Sequence, residues 1–398
     1  MAFTLLALGV LGLLGSTTLF PLLAPILHWR LSRVLPNPDS KRNQRENGAR
    51  KLTIAIPTCG EVEALERTLQ SISYAIAYAH KHLTVHEISI ELLVGIDGSA
   101  PKALLRAHQF QARVLSSDKR AGKWRMLERM TRHIEGRSSA FSSSWVIFAD
   151  VGVEWPKDFL LSVLSDMKDP HVVGIAPAYT IRDSSLIQRS VWSIERSLKT
   201  LENFSGGPVS VHGATVGYRI DALIRVFDFC VGKEYANDDV VLPLLIRTLN
   251  PSKVIQYRGD VAVIDTESTE VGSDERRRTR MLIGNTKWVQ DLYPFVLRTN
   301  PLVALIALRR VFRILWAYWI GSVFLGGGIT LVALSWSVFI ELSGVERLAV
   351  TIASGGAVCT LAIVLALVCE QLISAAKVSL LGPWYWGKSN SSIGKIWK

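Results

Sequence analysis

The chain has 398 residues, 49% of them hydrophobic, and a formal net charge of +11. With a mean hydropathy of +0.26 it is too apolar for an ordinary soluble enzyme. A catalytic domain joined to membrane segments fits, its basic surface facing an anionic leaflet or an anionic substrate. Nucleic acid is disfavoured as a partner, because no zinc-finger, RNP or basic-zipper pattern is present. Cys59, Cys230, Cys359 and Cys369 stand far apart without metal-ligand spacing, which reads as free thiols in a reducing compartment.

Residues from Phe3 to about Leu27 are nearly free of charge and long enough to span a bilayer. They lack the basic start and small-residue cleavage site of a signal peptide. Pro21 and Pro25 are expected to kink the cytoplasmic end of this helix. Arg30, Arg33, Lys41, Arg42, Arg45, Arg50 and Lys51 follow, so the positive-inside rule puts the amino terminus outside and the next segment in the cytoplasm. The expected organisation is a transmembrane helix over 1–28, a basic linker over 29–50 and a cytoplasmic α/β domain over 51–285. Interfacial amphipathic helices over 286–313, two transmembrane helices within 314–370 and a cytoplasmic interfacial tail over 371–398 complete it.

Within the α/β domain, Lys51–Ile56 reads as a β-branched strand and Glu63–Tyr78 as a helix, with Leu65, Leu69, Ile72 and Ile76 on one face. Ile88–Ile96 is a second strand, a third begins at Val114, and Trp145–Ala149 is a buried strand running into Asp150. Strands alternating with helices predict a mostly parallel, Rossmann-like sheet.

The residues suited to chemistry fall at the ends of these elements. Asp150 sits where open α/β sheets collect ligands, and a carboxylate there suits a hard divalent cation shared with a diphosphate, Mg2+ or Mn2+; a helix cap or turn is the alternative. Asp97, in Asp97-Gly98-Ser99, suits a nucleotide contact or simply a tight turn. Lys123, after Gly122, can hold a diphosphate or be an ordinary surface lysine. His212-Gly213-Ala214 follows a Gly-Gly-Pro loop and leaves room for an acceptor, although ordinary turn chemistry explains it too. Asp238 and Asp239 begin an apparent helix, either as favourable first-turn charges or with one of them as general base. Arg277 and Arg280 lie on one helix face, suited to a diphosphate or to anionic lipid.

Taken in order, IPTCGEVEALERTLQS, DGS, AGK, FAD, HGA, NDDVVLP and RRRTRM, between about Thr53 and Asn285, resemble the membrane-bound family 2 glycosyltransferases, the group of cellulose, chitin and hyaluronan synthases. The NDDVVLP, RxxRM and GN set looks most like the exopolysaccharide-assembly branch. The resemblance implies a GT-A fold and inverting transfer from a nucleotide-sugar, expected to be a UDP-sugar, to a lipid-linked or saccharide acceptor. It assigns Asp97 to the nucleoside, Asp150 to the diphosphate and its metal and Arg280 to the leaving diphosphate, and Lys123 fits the Lys of the family's GK step; Arg277 joins the nucleotide-sugar side through its place on the face of Arg280. Asp239 becomes the base; His212, Gly213 and Asp238 are read from their own surroundings as acceptor-side residues.

Three departures stand out. Gly152 replaces the second Asp of the family's DxD, with Glu154 two positions out of register. The Gln and Trp of its QxxRW motif fall on Arg277 and Met281. Addition of one or a few sugars is therefore expected. The alternative, a processive synthase that secretes its product, would need a homo-oligomer or a partner to complete a pore.

Overall fold

The computed structural model describes residues 1–34, 50–83, 88–137, 144–182, 186–266, 273–341 and Leu380. The expected linker core, the second carboxy-terminal span and nearly all of the tail lie outside these residues.

An eight-stranded sheet organises the chain, in the order β3-β2-β1-β4-β7-β6-β8-β5. Its strands are β1 (Arg50–Thr58), β2 (Ile88–Asp97), β3 (Arg113–Ser117), β4 (Ser144–Ala149), β5 (Val153–Glu154), β6 (Val172–Ile181), β7 (Thr215–Arg219) and β8 (Val254–Asp265). The helices of the domain are α3 (Val62–His82), α4 (Pro101–Gln109), α5 (Lys123–Glu135), α6 (Phe159–Leu164), α7 (Leu186–Asn203), α8 (Ile220–Phe229) and α9 (Asp238–Leu249). β-branched and aromatic residues form the strands, and their period of two divides them between two cores. Leu52, Ile54 and Ile56 of β1, with Trp145 and Ile147 of β4, pack against α3, α4 and α6. Ala55, Val146 and Phe148 point the other way, toward α5, α8 and α9. The result is a three-layer α/β/α body.

The sheet is less parallel than the sequence predicts. β3, β2, β1 and β4 are mutually parallel, but β7 runs antiparallel to both β4 and β6, and β5 antiparallel to β8. The alternation of strand and helix is clean only through β4, and that half alone is the Rossmann-like unit. The reversal at β7 has a direct consequence. Its amino-terminal end lies beside the carboxyl end of β4, Thr215 opposite Ala149, so the loop before β7 is delivered to Asp150.

The amino-terminal region also differs from the single helix expected. It forms α1 (Ala2–Thr17) and α2 (Leu19–Val34), bent by 66°. The break falls at Thr18 and not at Pro21 or Pro25. Pro21 lies in the first turn of α2, where its missing N–H costs nothing, which leaves Pro25 as the interior proline.

Three long helices follow β8: α10 (Ser273–Thr299), α11 (Pro301–Ile314) and α12 (Trp316–Glu341). Asn300 caps α11 by accepting from Val303 N–H at 3.2 Å, with Pro301 at its first position. Among the described residues one helix, α12, is long and apolar enough to cross a membrane, or two spans if the bent pair counts as one. α1 lies antiparallel along α12, Gly12 against Trp319 and Gly326 against Ala2 and Leu6.

Candidate active site

The carboxyl ends of β1, β2 and β4 share one edge of the sheet, and the order switches there between β1 and β4. Asp150 leaves β4 at this edge, and its N–H donates to Ala214 O at 2.9 Å. Gly213 is therefore held directly over it. A Cβ placed on Gly213 would lie 3.4 Å from Asp239 Cβ and 4.0 Å from Asp150 Oδ2. The loop reaches α9 as well, Val211 N–H donating to Asp239 O at 2.8 Å. Gly213 and Asp239, 63 and 89 positions beyond Asp150 in sequence, thus meet it in one small cleft.

Lys123, the first residue of α5, inserts its ammonium between two carboxylates. It stands 2.8 Å from Asp150 Oδ1, 3.0 Å from Asp150 Oδ2 and 3.2 Å from Asp238 Oδ2. Burial opposes this charge, but the two carboxylates outweigh it and raise the lysine above its ordinary range. Asp238, expected beside the acceptor, thus faces Lys123 and Asp150. Burial raises Asp150, with Lys123 opposing and Asp238 and Asp239 adding to it. Burial also raises Asp239, followed by the charge of Asp238. A carboxylate whose proton affinity is lifted in this way is a better base.

Asp97, the expected nucleoside contact, also holds the turn before α5. It is 2% exposed, and its two oxygens accept from Ala121 N–H at 2.8 Å and Gly122 N–H at 2.7 Å. It fixes the turn that aims Lys123. Gly152 has φ +91, a conformation that strains an L side chain, and its N–H donates to Thr68 Oγ1 at 2.9 Å. The backbone at this position suits glycine, which accounts physically for the missing second Asp. Glu154, two positions out of register, is paired with Arg182.

Two further anchors surround the cleft. Asn237 precedes α9, but its amide serves α10: Nδ2 donates to Met281 O at 3.0 Å and to Asn285 Oδ1 at 2.8 Å. Trp288 Nε1 donates to the same Asn285 oxygen at 2.9 Å. Gly284 makes the approach possible, since a Cβ there would lie 2.2 Å from Asn237 Oδ1. The helix carrying Arg280 is thereby clamped beside Asp238 and Asp239. Arg280 is half-buried, while the side chain of Arg277 lies outside the described residues.

On the other side, Lys199 and Arg310 both donate to Ser210 Oγ, Arg310 through Nη2 at 2.8 Å. Arg309 and Arg313 pair with Glu195 of α7, and Arg313 Nε also donates to Ser16 O at 3.1 Å. These ties link the apolar helices to the loop that carries His212. Burial holds His212 well below its usual range, so the ring is neutral. Its centroid lies 5.6 Å from Tyr179, 5.3 Å from Trp192 and 6.3 Å from Tyr257.

Residues 53–227 match the model of glycosyl transferase family 2. The domain is a glycosyltransferase. Its fold is that of a mannosyltransferase from Pyrobaculum calidifontis, solved with GDP-Man and Mn2+: TM-score 0.58 at 16% identity, covering 96% of this chain and 99% of that one. Glucosyl-3-phosphoglycerate synthase from Mycobacterium tuberculosis, solved with Mn2+ and UDP, overlaps less, with TM-score 0.38 at 17% identity over 61% of this chain and 80% of that one. No curated protein matches the chain.

Sequence reasoning missed the residues that hold this transferase site together: Arg247, Asn237 as a bridge to α10, and the rings around His212. For Arg247 the signal is a lone arginine inside the apolar run VVLPLLIRTL. The Asp239 environment also sets an expected pH profile. With Asp239 as the base expected from the sequence, its protonation would stop the reaction, so kcat/KM should fall with decreasing pH through the raised value of the coupled carboxylates. The acid limb should therefore lie above the ordinary Asp value of about 3.9. A rate profile flat down to that value would contradict the assignment.

Proposed function

We propose that the chain is an inverting glycosyltransferase that moves a sugar from a nucleoside-diphosphate sugar, a UDP-sugar by preference, to an acceptor hydroxyl at a membrane surface. The observation that carries this proposal is the pairing of Asp150 and Asp239 across Gly213. One carboxylate belongs to the end of β4 and the other to the start of α9, so a donor and an acceptor can meet between them. The acceptor oxygen bonds to the anomeric carbon while the bond from that carbon to the diphosphate oxygen breaks. Its proton passes to Asp239, and the nucleoside diphosphate leaves with the bonding electrons. Arg280 lies on the helix clamped beside the carboxylates and is assigned to the leaving diphosphate, with Arg277 one turn before it.

The chemistry of the site suits a divalent cation. Asp150 already holds a cationic group, the Lys123 ammonium, on both its oxygens. Among the described residues no group of three or more His, Cys, Asp or Glu side chains could hold a metal. A hard ion here would take Asp150 from the protein and its other ligands from phosphate and water, as Mg2+ and Mn2+ commonly do. When bound, it would stabilise charge on the leaving diphosphate. The mannosyltransferase of the same fold, solved with GDP-Man and Mn2+, supports such an ion and keeps GDP-sugars beside UDP-sugars as donors.

The membrane setting rests on exposed apolar side chains. Phe3, Leu11, Leu22, Ile26, Trp29 and Val332 are all exposed on α1, α2 and α12, more apolar surface than water favours. Together with the basic sequence after α2, this supports a transferase domain on the cytoplasmic face, acting on a lipid-linked or saccharide acceptor in cell-surface glycolipid or exopolysaccharide synthesis. Product NMR tests the stereochemistry: an α-linked donor should give a β-linked product. Retention of the α configuration would contradict a single displacement assisted by Asp239.

A further inference from the structure

The position of Lys123 says more than that a lysine lies near phosphates. Its ammonium engages both oxygens of Asp150, at 2.8 and 3.0 Å, and reaches Asp238 at 3.2 Å. Asp97 sets this placement by holding the backbone of Ala121 and Gly122. The lysine is not a mobile surface group that happens to fall nearby. It begins a helix whose preceding turn is fastened to the sheet.

Charge then constrains the order of events. Asp150, Asp238 and Asp239 lie together; Lys123 contacts the first two directly, while Arg310 and Lys199 act on Asp239 from the far side, so Lys123 is the cation seated where Asp150 would meet a donor. A nucleotide-sugar diphosphate arriving alone meets a carboxylate cluster whose nearest ammonium is already engaged by Asp150 and Asp238. A divalent cation arriving alone finds Asp150 taken, and two cations a few ångströms apart repel strongly in a partly buried site. Arriving together, each relieves the other: the cation takes Asp150, and the released ammonium gains the phosphates as a partner.

We propose that Lys123 is a cation placeholder, displaced from Asp150 by the divalent ion and transferred to the diphosphate, so that ion and nucleotide bind as a coupled pair. The proposal rests on the assignment of Asp150 to the diphosphate and its cation. Coupling of this kind is reciprocal: nucleotide must tighten the ion by the same factor as the ion tightens nucleotide.

The test is Mn2+ binding to the detergent-purified full chain, followed by the electron paramagnetic resonance signal of free Mn2+. Lys123→Met and Lys123→Gln should each bind Mn2+ alone about tenfold more tightly than wild type, about 1.4 kcal/mol. Addition of UDP or GDP should then raise their Mn2+ affinity less than it raises that of wild type. Wild-type or weaker Mn2+ affinity in the folded variants overturns the proposal. A measurement on wild type stands apart from the folding of either variant. Acylation of the Lys123 amine by acetic anhydride, read by peptide mass spectrometry, should increase when saturating Mn2+ is added without nucleotide. Unchanged acylation overturns the proposal as well. Failure of wild type to bind either Mn2+ or any nucleotide would instead overturn the proposed function itself.

Discussion

Asp239→Asn should lower sugar transfer by about 100- to 10,000-fold, the range for loss of a positioned general base, while nucleoside diphosphate binding survives. Asn is nearly isosteric and leaves the Asp239 carbonyl free to accept from Val211 N–H, so the loop over the site keeps its anchor. It also removes one negative charge from a crowded cluster in which Asp239 helps to raise Asp150. Nucleotide affinity should therefore stay the same or improve. Initial rates together with calorimetric UDP and GDP titrations separate the two effects. Turnover at the wild-type level would remove Asp239 from the reaction, and parallel loss of rate and binding would make it a structural residue.

Gly207→Ala should destabilise the protein by more than about 3 kcal/mol, in the range reserved for strained or overpacked sites. Gly207 has φ +99, and a Cβ on it would lie 1.7 Å from the carbonyl oxygen of Ile255 in β8. Backbone cannot yield as a flexible side chain would. The damage would spread to the loop over Asp150, because Arg247 of α9 donates to Gly207 O and Ser205 O. Arg247 is buried, and burial pulls it down to about 10. These carbonyls are therefore its compensation for leaving water. Urea unfolding of the variant gives the stability change directly. A loss below about 1 kcal/mol would show that the loop relaxes without cost.

Much of this site is legible in the sequence because its residues end regular elements. The strand from Trp145 leads into Asp150, the helix from Asp238 starts with its acidic pair, and apolar periodicity finds both. Small-residue loops such as Gly206–Gly213 can be located in the same way. What sits between elements is harder to see. The partner of Asp97 lies 24 and 25 residues away in the backbone of Ala121 and Gly122, and backbone donors leave no trace in composition. The antiparallel turn of β7 is equally hidden, since a five-residue strand carries the same pattern in either direction. Asp238 and Asp239 show why neighbours need coordinates: the helix start sends one carboxylate toward Lys123 and leaves the other beside Gly213. The bend at Thr18 has no proline at the break to announce it.

The most direct measurement is a thermal-shift panel on the detergent-purified chain with UDP, GDP and their sugars, each with and without Mn2+. A ligand that binds the folded state raises apparent stability by mass action. The expected result is a shift with one nucleotide class, larger with Mn2+ than without it, abolished by Asp150→Ala and retained in Asp239→Asn. No shift with any nucleotide, in the presence or absence of Mn2+, would contradict a donor site at Asp150.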